Sequence, residues 1–322
     1  MKIIDFDTIK SLNITPEMCY EWVSDMIFHK QESVLPAKIH MAMPNNEFCN
    51  VMPSIIPRCN GEKYAGLKIV TRYPQREPAL DSKILIFNAD SGKFLALVDG
   101  DWITAMRTGA VAVHSVKLLA KKDFSVIGLV GLGNTARATM FELAAMFPDR
   151  VFEIKLLRYK DQADSFMKRF SDYSNFHFTV LDEPRDIVKG SDVVISCATY
   201  LEKDICSDDC FDEGVLVVPV HTRGFTNCDL FFDKVFADDT GHVKDFKYFD
   251  RFKYFAEVCD VVNGKVAGRA SDKERILVYN IGISIHDVSF AGHIYQMLRE
   301  KPEVFDNLTD ANLHDPTEKF WI

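Results

Sequence analysis

"VIGLVGLGNTARATM", Val126 to Met140, passes from an apolar run rich in Val and Ile into a glycine turn and then into residues of helical spacing. Gly131, Gly133 and Ala136 stand at the G-x-G-x-x-[GA] spacing, directly after the strand-like run and at the opening of the helix. Each position has a physical reason: the first small residue permits a tight turn, the second lets backbone N–H groups approach a pyrophosphate, and the third lets the helix pack on the strand. The helix N-terminus then offers N–H groups and a positive dipole end to the phosphates. Such a turn points to a dinucleotide only where a βαβ pattern surrounds it.

That pattern follows. "FSVIGLVG", "VFEIKLLRY", "FHFTVL", "DVVISCA", "GVLVVPV" and "KVFAD" alternate with helical segments, a rhythm that makes a parallel sheet covered on both faces. The expected fold class is therefore α/β, a Rossmann-type doubly wound sheet. An acid at the end of its second strand would accept the ribose 2′-hydroxyl of NAD(H), but Arg158 and Lys160 stand there. A guanidinium suits a 2′-phosphate, so Arg158 favours NADP(H) and leaves NAD(H) open.

The first hundred residues read differently. "TPEMCYEWVSDMIFHKQ" is helical, with Thr15 as N-cap and Pro16 in the first turn. "YAGLKIVTRY", "KILIFNAD" and "KFLALVDG" are strand-like, with "NADSGK" as a hairpin turn. This half reads as α+β with an antiparallel sheet. "WITAMRTGAVAVHSVKLLA" is a helix, and the long helical segment after Gly282 is placed to return to the first domain. The expected domains are residues 1–115 plus 293–322 for substrate binding and dimerisation, and 116–292 for the dinucleotide.

At 322 residues with 47% hydrophobic content the chain can bury two cores. A formal net charge of -9 without a long basic run argues against nucleic acid. The absence of a signal-peptide pattern or a long uncharged apolar stretch argues for a cytoplasmic protein with no membrane contact. Eight scattered cysteines suggest reduced thiols, and "CSDDC" lacks the second ligand pair that a zinc site needs, so no metal is expected.

"LKIV", "DGDWITAMRTGAVAV", "VGLGNTA", "SDVVISCAT" and "YNIGISIHDV", in this order and at these separations, resemble the ornithine cyclodeaminase/mu-crystallin family over residues 20–300. The resemblance implies a dinucleotide-binding domain inserted into an α+β domain that pairs two subunits in a homodimer. It implies an active site in the cleft between the domains. Lys68 matches the catalytic lysine, whose burial would lower its pKa and let it exchange protons near neutrality. Arg107 matches the arginine that grips a substrate α-carboxylate with a bidentate fork, and Thr108 and Gly109 would let its helix approach the cofactor. Lys38 stands where many members have a second carboxylate-binding arginine. Asn134 and Thr135 fall in the phosphate loop, Thr199 closes a strand, and Asn280 lies where the last strand approaches the nicotinamide.

One departure bears on activity. Where cyclodeaminases carry an Asp at a strand end, this chain has His221, followed by Arg223. His221 has a pKa suited to general acid or base work, and Arg223 suits a substrate with an extra carboxylate, such as an N-carboxyalkyl amino acid. The leading expectation is an NAD(P)-dependent oxidoreductase on the C–N bond of an amino or imino acid. Two others are carried beside it: cyclodeamination of ornithine to proline and ammonia, and a crystallin-like NADP(H)-dependent protein that only binds a small ligand.

Overall fold

The computed structural model describes residues 1–59, 61–198, 205–220 and 229–311, with Leu313 and Phe320. The chain divides into two compact units, one of Met1–Ile14, Glu32–Ile103 and Asp287–Ile322, the other of Thr15–Gln31 and Thr104–His286. No helix among the described residues is long and apolar enough to cross a membrane.

The first unit holds a six-stranded sheet. Its strands are β1 (Lys2–Ile4), β2 (Ile39–Ala42), β3 (Phe48–Cys59), β4 (Glu62–Arg72), β5 (Leu80–Asn88) and β6 (Phe94–Asp99), in the order β1-β6-β5-β4-β3-β2. β1 runs parallel to β6 and the other pairings are antiparallel. The expected hairpin turn joins β5 to β6, where the Asn88 carbonyl accepts from the Gly92 N–H at 2.8 Å.

β3 is a strand that the sequence reading did not identify. Pro53 and Pro57 disguise it, because proline cannot donate to a ladder and argues against a central strand. The structure accommodates Pro53 between two stretches of pairing, Val51 opposite Ile39 on one side and Ile55 opposite Val34 on the other.

Helices α1 (Phe6–Ser11), most of α8 (Ser284–Arg299) and α9 (Pro302–Phe305) belong to this unit. α8 lies close on β4. A Cβ on Gly66 of β4 would stand 3.3 Å from Val288, and one on Gly292 of α8 would stand 2.9 Å from the Tyr64 ring. That approach fixes which α8 side chains look down on β4.

The second unit holds eight parallel strands in the order β13-β12-β14-β11-β10-β7-β8-β9. They are β7 (Val126–Val130), β8 (Phe152–Leu157), β9 (Phe176–Leu181), β10 (Val193–Ser196), β11 (Leu216–Pro219), β12 (Lys234–Ala237), β13 (Phe255–Glu257) and β14 (Ile276–Tyr279). β10, β11 and β14 are buried along their whole length, as strands covered on both faces must be. The remaining helices are α2 (Pro16–Phe28), α3 (Asp101–Leu119), α4 (Asn134–Met146), α5 (Gln162–Arg169), α6 (Pro184–Val188) and α7 (Val258–Val262).

These units are drawn differently from the boundaries expected at 115/116 and 292/293. α2 keeps its expected cap, Thr15 accepting from the Met18 N–H, but its apolar face of Cys19, Trp22, Val23, Met26 and Ile27 packs on α4 and α7. α3 joins the same unit, because a Cβ on Gly109 would stand 2.6 Å from the Ala138 carbonyl carbon of α4. Gly109, expected to let α3 approach a cofactor, also permits this close helix crossing, and Thr108 bonds back to the Thr104 carbonyl at 2.6 Å.

Candidate dinucleotide loop and catalytic residues

β7 ends at Val130 and α4 begins at Asn134, with Gly131, Leu132 and Gly133 between them. Gly131 has φ +82°, and a Cβ there would lie 2.8 Å from the Ala198 backbone nitrogen, so only glycine fits without strain. Gly133 is the N-cap of α4, no side chain among the described residues caps the helix, and a Cβ at Gly133 would meet nothing within 4 Å. Asn134 is exposed, Thr135 half-buried and Ala136 buried against the sheet. An open, uncapped helix N-terminus behind a strand end fits a pyrophosphate.

Arg158 directly follows β8, and its Nε donates to Asp182 Oδ1 at 2.6 Å just beyond β9. Sequence reading found no acid at the end of the second strand; the third strand supplies one in space. Both side chains are more than half exposed, so the pair is weak and open to exchange with a ligand.

Asn280 follows β14 and is buried. Its Nδ2 donates to Ser115 Oγ at 3.1 Å, and its Oδ1 has no hydrogen-bond partner among the described residues. A buried amide oxygen of this kind has acceptor capacity in reserve. Arg107 is buried on α3. Gly282, at φ +83°, donates its N–H to Asp238 Oδ2 at 2.8 Å, and a Cβ on it would stand 3.0 Å from Arg107 Nη1. The guanidinium thus lies against the backbone at Gly282, and a side chain there would displace it.

Lys68 sits on β4 in the first unit, opposite Met52 and Ile84 in the register, and is 1% exposed. Its Nζ donates to Asp287 Oδ1 of α8 at 2.8 Å, and Asp287 is fully buried. Burial favours the neutral amine, the direction expected from the sequence, whereas a carboxylate at this distance favours the ammonium. Asp287 was not singled out by sequence reading, although it stands inside the quoted segment "YNIGISIHDV" and in the first turn of a helix. Lys38 is half-buried immediately ahead of β2. Thr199, His221 and Arg223 lie outside the described residues.

A second cluster of buried charge lies in the other unit. Lys30 Nζ donates to Asp239 at 2.8 Å and Glu257 at 2.6 Å. Burial pushes the Asp239 carboxyl up, but hydrogen bonds from His242 and Lys30 outweigh it and hold the group down at about 2. Glu257, Cys259 and Asp260 are the one group among the described residues close enough to share a metal, and Glu257 is already engaged by Lys30 and Thr240.

Comparison with known proteins follows the same lines. The profile of the ornithine cyclodeaminase/mu-crystallin family matches residues 26–302. A Staphylococcus aureus relative, N-((2S)-2-amino-2-carboxyethyl)-L-glutamate dehydrogenase, is 25% identical over 259 residues, covering 75% of each chain. Among solved structures, Thermococcus litoralis Delta(1)-pyrroline-2-carboxylate reductase in complex with NADH and L-proline superposes with a TM-score of 0.81 at 20% identity, over 94% of this chain and 98% of its own. An archaeal alanine dehydrogenase dimer with bound NAD gives 0.78 at 21% identity, over 94% and 97%. At these identities the structural likenesses establish the fold.

Proposed function

Since the chain belongs to the ornithine cyclodeaminase/mu-crystallin family, we propose that it is an NAD(P)-dependent oxidoreductase acting on the C–N bond of an amino or imino acid. The observation that carries this reading is the fully buried Lys68–Asp287 pair. A protein that only binds a ligand has no need of a titratable lysine held in the interior.

The nicotinamide supplies the hydride when bound. The chain's own residues do the rest. The loop of Gly131, Gly133, Asn134, Thr135 and Ala136 holds the pyrophosphate through backbone N–H groups. Asn280 orients the nicotinamide end and Arg158 meets the ribose end, where its cation favours NADP(H). Arg107 grips the substrate α-carboxylate, with Lys38 as a second cation, while Lys68 exchanges a proton with the substrate nitrogen. His221 acts as a second acid or base, and Arg223 takes an additional carboxylate; the compound for which the S. aureus relative is named, N-((2S)-2-amino-2-carboxyethyl)-L-glutamate, has the chemistry that such a contact would serve.

The protein works as a homodimer, and the outer face of the six-stranded sheet is the surface that fits a second copy. Val51, Ile55, Leu67, Ile69, Leu85 and Leu97 share that face and are half-buried or exposed. Register places Leu67 beside Leu85 and Leu85 beside Leu97, a continuous apolar row of the kind that marks an interface.

A panel of cyclic imines, 2-oxo acids with amines, and N-carboxyalkyl amino acids, assayed at the reduced-nicotinamide absorbance band with NADPH and NADH, tests the function. Turnover of at least one carboxylate-bearing C–N substrate is expected. Conversion of ornithine to proline and ammonia without net cofactor reduction would replace this reading with cyclodeamination.

A further inference from the structure

We propose that Asp287 is the positioning residue for Lys68, and that its carboxylate keeps Nζ an ammonium aimed by a fixed hydrogen bond. The amine would then enter the reaction as a proton donor. This deepens the oxidoreductase reading and rests on it for the identity of the acceptor, a C=N nitrogen beside a carboxylate.

Apolar strand residues flank the pair. Across the sheet, Lys68 faces Met52 on β3 and Ile84 on β5, both apolar and buried. From α8 it meets Asp287 at 2.8 Å, and the preceding residue, His286, is the other titratable group on that turn, itself buried. Asp287 lies in the first turn of α8, where the helix dipole stabilises a carboxylate. Each charge thus supports the other, while burial opposes both. The tight seating of α8 on β4, with Val288 beside Gly66 and Gly292 beside Tyr64, holds the carboxylate in place.

In the reductive direction, hydride from the reduced nicotinamide forms the Cα–H bond and the C=N π bond breaks toward nitrogen. That nitrogen takes the proton from Lys68 Nζ, leaving a neutral amine beside the Asp287 carboxylate. Water then returns the proton to Lys68. Asp287 stays ionised throughout and touches neither substrate nor cofactor.

Selective 15N-lysine labelling of the full chain reads the Nζ charge directly, with Lys68→Met assigning the resonance. Wild-type Lys68 should remain an ammonium from pH 6 to pH 9. In Asp287→Asn the titration midpoint should fall by about 1–3 pH units, and the alkaline limb of kcat should move down by the same interval. kcat should drop while the KM for the cofactor holds, and Asp287→Glu should restore part of the loss. If Asp287→Asn does not fold, the wild-type spectrum decides the charge state and Asp287→Glu decides the positioning. A neutral Lys68 amine at pH 7 in wild type would overturn the proposal. So would an Asp287→Asn variant whose resonance and pH profile stay where they were. An ammonium Lys68 in a protein that reduces no imine would support the hold of Asp287 and overturn the oxidoreductase reading instead.

Discussion

The two glycines of the loop after β7 should fail in different ways, and that difference separates a packing turn from a phosphate cradle. Gly131→Ala places a Cβ at φ +82°, a left-handed conformation that costs roughly 1–2 kcal/mol. The same Cβ would stand 2.8 Å from the Ala198 nitrogen and 2.9 Å from the Cys197 carbonyl carbon. Both are backbone atoms that cannot rotate away, and forced overpacking adds about 1–3 kcal/mol. The expected loss is about 2–5 kcal/mol, a fall in Tm on the order of 10 °C for a chain of this size. Gly133→Ala meets neither obstacle. Its φ of -79° and ψ of -165° suit any residue and its Cβ meets nothing within 4 Å, so stability should change by no more than about 0.5 kcal/mol. On the proposed reading, a methyl group there would stand in the path of a pyrophosphate approaching the α4 N-terminus. The Kd for the dinucleotide should rise about tenfold or more, which is about 1.4 kcal/mol. Thermal denaturation and calorimetric titration with NADH and NADPH read the two arms separately. Wild-type affinity in Gly133→Ala would refute the phosphate cradle, and a wild-type Tm in Gly131→Ala would refute the steric account of the turn.

Other perturbations have equally definite signs. Arg158→Asp should weaken NADPH relative to NADH, whereas Asp182→Asn, which releases the guanidinium from its 2.6 Å partner, should strengthen NADPH; titration of both cofactors into both variants checks the ratio. Burial, with the charge of Glu17 adding to it, pushes the Glu142 carboxyl up to about 9, so the native state keeps a proton that the unfolded chain releases, and stability falls as pH rises from about 4.5 toward 9. Glu142→Gln should therefore be more stable than wild type at pH 8 by on the order of 2–4 kcal/mol and equal to it near pH 4.5 in urea denaturation. Leu85→Glu, on the outer face of the six-stranded sheet, should shift sedimentation from dimer to monomer; an unchanged dimer would place the interface elsewhere. Lys68→Met should cost about 3–5 kcal/mol by leaving Asp287 buried without its cation, while Lys68→Met with Asp287→Leu should regain most of that stability without activity.

The parallel sheet was legible because its signals are local. β7, β8, β9 and β10 are short apolar runs separated by α4, α5 and α6, β11 and β12 are further short apolar runs, and Gly131, Gly133 and Ala136 lie within six positions of one another. Lys68 and Arg107 were singled out only through the resemblance of their segments to a family. What stayed hidden is contact across sequence distance. Asp182 lies 24 residues from Arg158 and Asp287 lies 219 residues from Lys68, so no window of sequence shows either pair. α2 reads correctly as a capped amphipathic helix, but nothing in its pattern says that its apolar face belongs to the second unit, against α4 and α7, while the strands after it belong to the first.

The places where local rules fail share a physical character. Lys68 and Asp287 put two charges among apolar strand residues, Arg107 rests a guanidinium on backbone at a positive-φ glycine, and Asn280 keeps a buried oxygen without a hydrogen-bond partner among the described residues. A sequence selected for stability alone would fill such positions with well-packed apolar side chains, since a buried ion pair is often no better than its hydrophobic replacement. The Lys30 cluster is the instructive contrast: there one ammonium meets two carboxylates that also accept from His242 and Thr240, and the network is nearly saturated with hydrogen bonds. Saturation is what a purely structural ion cluster achieves. Asn280 instead keeps a buried amide oxygen with acceptor capacity in reserve, the condition in which a binding site gains from a ligand that brings a donor of its own.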